Sequence, residues 1–200
     1  MKAIRRRDLI SLGPLFYLTA CASPEPKVDK KPPEPITGLH GLYGMYQHAR
    51  TWAQDLQVVS CRSIAITQVK ATTGKAAAWQ AVLASASLGQ QRVYTYSVVD
   101  ASTSLHEGIF ADSPTPLTGD VHPFLLAAAR TDTDQAWELA LKHAEEYTRK
   151  HPETPISYIL EMSRQVNQPA WRVIWGESVA SSAFSILIDA STGQYMQTLH

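Results

Sequence analysis

The sequence predicts an α+β fold made of two tandem modules, each a helix packed on an antiparallel meander sheet. Three observations carry that expectation. Two helical stretches with apolar spacing are each followed by strand-like alternation, a proline-punctuated stretch separates them, and landmark residues recur in the same order in both halves. Composition is compatible with a globular protein: of 200 residues, 44% are hydrophobic and 18% charged, which argues against disordered and fibrous classes. The 18 basic and 18 acidic residues balance, and the leader described next removes four of the former and one of the latter. The slight acidity that remains gives no electrostatic reason for a nucleic-acid partner.

Residues 1–20 read as a signal peptide. A basic stretch from Lys2 to Arg7 precedes the apolar run Leu9 to Leu18. That run is about half the roughly 20 residues a spanning helix needs, and Gly13-Pro14 interrupts it. Arg6-Arg7-Asp8-Leu9-Ile10 resembles the twin-arginine export motif; the alternative is a generic basic region on the general route. Leu18-Thr19-Ala20-Cys21 resembles the lipobox of bacterial lipoproteins. The resemblance implies cleavage before Cys21 and acylation there, palmitate included, so that the lipid bilayer is held through Cys21. Ala22 after the cysteine implies, by the same resemblance and in a two-membrane bacterium, the periplasmic face of the outer membrane.

Residues 21–36 form a tether. Pro24, Pro26, Pro32, Pro33 and Pro35 occur with almost no apolar side chains, so no core can form there. The first module is expected over residues 37–111. Leu42, Tyr46, Ala49, Ala53 and Leu56 give it an amphipathic helix, followed by strands around Ser63 to Val69, Ala78 to Ala84 and Arg92 to Val99. Residues 112–130, with Pro114, Pro116, Pro123 and Gly119, read as a linker.

The second module is expected over residues 131–200. Thr131 with Asp134 resembles a capping box, and Trp137, Ala140, Leu141, Ala144 and Tyr147 recur along one helical face. Three pairs four residues apart, Glu138 with Lys142, Glu145 with Arg149 and Glu146 with Lys150, support that helix, and His151-Pro152 ends it. Strands follow at Ile156 to Met162, Trp171 to Trp175 and Phe184 to Ile188, with a last one ending near Leu199. The landmarks of the repeat are Trp79 and Trp171, and then Asp100-Ala101-Ser102-Thr103 and Asp189-Ala190-Ser191-Thr192. Their offsets differ by three residues, and the slippage is expected in the hairpin between them.

These residues resemble the PepSY-like family of small extracytoplasmic modules, whose hallmark is a helix, a strand bearing a Trp, and a strand leading into Asp-Ala-x-Thr-Gly. Asp189 to Gly193 fits it in full, whereas Asp100 to Ser104 departs from it at Ser104. The resemblance implies a binding or inhibitory unit and brings no catalytic residues.

The residues themselves point the same way. Among His40, His48, His106, His122, His143, His151 and His200 no metal-ligand spacing occurs, and no nucleophile elbow or phosphate loop is present. No catalytic, cofactor or metal site is expected. His143 reads as solvated on the polar side of its helix, and His200 as exposed. Cys61 reads as a small buried side chain, the alternative being a reactive thiol. Of the five tryptophans, Trp175 is the candidate for contact with a ligand or partner, because the first half has Leu83 in its place. The expected protein is a non-enzymatic, lipid-anchored envelope module that binds or inhibits a protein or peptide. The alternatives are a structural or assembly component of an envelope complex, or an enzyme of unrecognised type.

Overall fold

Both helical stretches form helices, and each is followed by a four-strand meander. The computed structural model describes residues 32–200; the leader, Cys21 and the tether up to residue 31 lie outside the described residues. In chain order the elements are β1 (Ile36–Thr37), α1 (Gly38–Ala49), β2 (Leu56–Ile64), β3 (Lys75–Ala76), β4 (Ala78–Ser85), β5 (Gln90–Ser97), β6 (Gly108–Ala111) and β7 (Thr115–Pro116). After a 3₁₀ turn at Leu126–Ala128 come α2 (Thr133–Lys150), β8 (Ile156–Ser163), β9 (Gln168–Trp175), β10 (Phe184–Asp189) and β11 (Tyr195–Leu199).

The described residues hold a nine-stranded antiparallel sheet in the order β11-β10-β9-β8-β2-β4-β5-β6, with β7 also on β5. That order is a palindrome of the two halves, because the first strand of one meander, β2, pairs with the first strand of the other, β8. Arg62 faces Ile159 at one end of the join. No break in the sheet separates the halves, and residues 32–200 form one unit.

Several boundaries differ from the sequence reading, each for a local reason. α1 ends at Ala49, where Trp52 and Ala53 donate back to the Ala49 carbonyl, and Leu56 opens β2 instead of closing a helix. Spacings of four and three fit a helix, yet Leu56 and Val58 bury on one face of a strand. α2 is capped by Asp132, whose carboxylate accepts from the Thr133 N–H at 2.7 Å, so the expected Thr131–Asp134 box does not form. Its buried stripe is small, Thr133, Ala136, Ala140 and Ala144, with Trp137, Leu139 and Tyr147 beside it. Of the three expected pairs, Glu146 with Lys150 closes at 2.7 Å. The stretch 112–130 is more than a linker: Phe124 exchanges both backbone hydrogen bonds with Val58 at a bulge in β2 and is buried.

α1 packs on β2, β4 and β5, and α2 packs on β9, β10 and β11, all on one face of the sheet. Equivalent bonds hold the two tryptophans. The Trp79 indole donates to the Ile36 carbonyl and the Trp171 indole to the Thr131 carbonyl, one just ahead of each helix. The rings meet edge to face at 6.2 Å. The helix N-termini converge above them, where Asp132 accepts from the Leu39 N–H as well and Thr133 Oγ accepts from the Gly38 N–H. Gly38 is needed there, since a Cβ would lie 2.5 Å from the Trp171 ring. Thr133 in turn donates to the Gly74 carbonyl, and the Gly74 N–H donates to the Tyr158 hydroxyl.

Candidate functional site

Strand alternation sends every second side chain away from the helices. The core contains none of those outward residues: Arg62, Gln80, Val82, Val93, Thr95, Ile159, Arg172, Leu187 and Gln197 are all absent from it. Both helices therefore cover one face of the sheet and leave the other without a helix, although Ile174 and Ser185 on that second face are buried. Among the described residues this open face is the most extensive feature on which a site could be built.

One row of side chains crosses the whole face. Reading the register strand by strand gives Gln197, Leu187, Arg172, Ile159, Arg62, Gln80, Thr95 and Phe110. At about 4.8 Å per strand the row spans roughly 34 Å. Each half contributes four members. The chemistry changes along it, from amide and aliphatic groups through two guanidiniums around Ile159 to amide, hydroxyl and an exposed phenyl ring.

Two grooves lie on this face. The larger, of about 470 Å³, includes Arg172, Leu187 and Gln197 and is closed on one side by the Asp120–His122 segment. Arg164 clips that segment down through Asp120 at 3.3 Å, and His122 meets the other carboxylate oxygen at 3.1 Å. The smaller, of about 400 Å³, includes Gln80 and Thr95 and lies near the contact of Gln68 with the Ala101 carbonyl. His122 and Ser60 line one groove, and the imidazole is turned to Asp120.

The residues singled out in the sequence are placed as follows. Cys61 is fully buried in the core between its neighbours Ala81 and Leu160, and burial, followed by the charge of Asp132, pushes its thiol far up, away from the reactive thiolate. Trp175, expected as a contact, is 1% exposed instead. Trp137 and Phe184 pack on it at 5.6 and 5.3 Å, and its N–H donates to Thr148, so its ring has no free face for a ligand. Leu83, its counterpart in sequence, is equally buried, so the substitution changes core volume and not surface. His143 is exposed and stacks on Tyr195 at 3.9 Å, and His200 is exposed beside Phe184. No group of three or more potential metal ligands occurs among the described residues.

The two turns carrying the repeated motif are built differently. Asp189 is buried, and its Oδ1 accepts from the Ser191 N–H, the Ser191 hydroxyl and the Thr192 N–H. Burial raises its pKa, but those hydrogen bonds outweigh it and leave a net lowering. Asp100 is exposed and accepts from the Glu107 N–H and His106. The register explains why. Trp79 pairs with Tyr96, and Trp171 with Ile188, so the position equivalent to Asp189 is Ser97. The hairpins between these pairs are equally long, and the three-residue slippage lies after β5, not in the hairpin.

No protein-family model matches the chain, and no curated protein matches its sequence. Among solved structures the fold is similar to that in the crystal structure of a candidate lipoprotein from Clostridium difficile 630, with a TM-score of 0.52 and 11% sequence identity. The similarity covers 83% of this chain and 94% of that one, and it is a likeness of fold. No helix of the described residues is long and apolar enough to cross a membrane.

Proposed function

We propose that the protein is a lipid-anchored, non-enzymatic subunit of the bacterial cell envelope that binds or inhibits a protein or peptide partner through the open face of its sheet. The observation that carries this reading is the asymmetry of the sheet: two helices on one face, and on the other a continuous row of mixed polar and aliphatic side chains with a groove in each half. The lipobox resemblance at Cys21 and the likeness of fold to a candidate lipoprotein support the anchor. The helix, the tryptophan strand and the Asp189–Gly193 turn support kinship with PepSY-like modules, repeated in each half.

Anchor and surface are tested separately. Mass spectrometry of the mature amino terminus is expected to find diacylated Cys21, and Cys21→Ser is expected to leave an uncleaved precursor or a protein released from membranes. Cleavage at another residue overturns the anchor. For the surface, Leu187→Arg in the open row is compared with Lys142→Ala on the helix side, after folding has been checked by circular dichroism. Loss of the gene's cellular phenotype with Leu187→Arg and its retention with Lys142→Ala is the expected result. Complete loss on removing one polar group such as His122 or Glu161 from a folded protein points instead to catalysis.

A further inference from the structure

The two guanidiniums in the central row are oriented by hydrogen bonds and form no ion pair among the described residues. Arg172 Nε donates to Ser185 Oγ at 2.9 Å, and Arg62 Nε and Nη2 donate to Gln80 Oε1 at 2.9 and 2.6 Å. Both acceptors are neutral. The ion pairs formed among the described residues involve other groups, at His106–Asp100, His122–Asp120, Lys150–Glu146 and Arg164–Asp120. Two positive charges on one sheet face are thus held in place without an ion pair among the described residues.

Their arrangement restricts what can neutralise them. Arg62 and Arg172 lie two strands apart on either side of Ile159, about 10 Å between backbones. Arg62 leans toward β4 and Arg172 toward β10, away from each other, so the two groups diverge and one compact anion cannot bridge them. Two anions on one scaffold are required, separated by three or more residues of extended chain at about 3.1 Å each, with the flexible acidic side chains spanning the remainder. Between and beyond the arginines the row offers Ile159 and Leu187 to apolar side chains. The Gln80 amide, whose oxygen is taken by Arg62, keeps its N–H donors for the carbonyls of a chain with no internal hydrogen bonds.

We propose, building on the open-face reading above, that the partner is an extended acidic polypeptide segment lying across the strands, with two carboxylates three to six residues apart, one on Arg62 and one on Arg172. The test uses the full chain in detergent and a fluorescent peptide, Glu-Pro-Pro-Glu-Pro-Pro-Glu, whose carboxylates fall three and six residues apart. Binding by anisotropy is expected to weaken about tenfold with either Arg62→Gln or Arg172→Gln, more with both, and to fall with rising salt. The peptide with Gln in place of Glu is expected to bind no better to the protein than Glu-peptide does to the double variant. Equal binding of both peptides, or an unaffected double variant, overturns the proposal. So does glycerol phosphate displacing the peptide at its own concentration, which would assign the arginines to a lipid headgroup. Photocrosslinking from Ile159 separates this from the underlying reading: adducts that persist in the double variant sink the acidic segment and keep the open face, whereas no adduct in any form sinks both.

Discussion

The first half closes its third strand on Ser97 and the second on Asp189, two residues at the same place in the sheet with different reach. Ser97 Oγ donates to the Val99 carbonyl and accepts weakly from the Val99 N–H, while Asp189 gathers three donors. The preceding bond is the same in both: the Val98 N–H donates to Ala77 and the Ala190 N–H to Pro169. A short hydroxyl closes only the first step of the turn, so the chain runs three residues further before Asp100 finds partners. The comparison teaches that a turn is specified by the side chain at the strand end, and that a repeated motif can drift along the chain while the scaffold stays in register.

The largest effect that sharpens this comparison lies where the halves agree. Trp79→Ala and Trp171→Ala each empty a fully buried aromatic site and are expected to cost about 3–5 kcal/mol by denaturant unfolding. Unequal losses of more than about 2 kcal/mol between the two would break the equivalence. Trp→Phe at either position leaves the helix-entry carbonyl without its indole donor, for roughly 1–3 kcal/mol.

Next come the turns, where the halves differ. Asp189→Ala strands three donors and is expected to cost about 2–3 kcal/mol, whereas Ser97→Ala costs about 1 kcal/mol. Asp100→Ala, in an exposed turn, is expected within about 0.5 kcal/mol. Gly193→Ala meets a φ of +75° and costs about 1–2 kcal/mol. Ser104→Gly brings no gain, since Ser104 is not among the residues with positive φ.

The smallest effect is one of acidity. Asp55 accepts from the Ser85 hydroxyl and the Ser87 N–H, in that order of importance, and its pKa drops to about 2. A lowered folded pKa means the stabilisation is complete above about 3.8, the unfolded value, and is lost as pH falls toward 2. Asp55→Asn is expected to flatten this part of the acid limb of a stability profile by lowering stability at neutral pH, where the carboxylate's contribution is complete, while leaving stability near pH 2 nearly unchanged.

Much of this fold was legible in the sequence because it depends on local pattern. Alternation placed β8, β9 and β10 within a few residues, and His151-Pro152 marked the end of α2. What was hidden depends on long-range pairing. The join of β2 to β8, the insertion of Phe124 beside Val58 and the short β6 and β7 leave no period in the chain. The site was less legible still. Trp175 drew notice for its size, but large aromatic rings bury. Arg62 and Arg172 drew none, since a lone arginine in a strand acquires meaning only when register sets it in a row with another 110 positions away.

The central claim is that the open face is the working surface, and site-specific photocrosslinking in living cells tests it most directly. A photoreactive residue is placed in turn at Val82, Ile159 and Leu187 on the open face and at His40, Lys142 and Glu145 on the helices. The account predicts a discrete adduct from the open-face positions and none from the helical ones. Adducts from the helices alone, or equally from both sides, would contradict it.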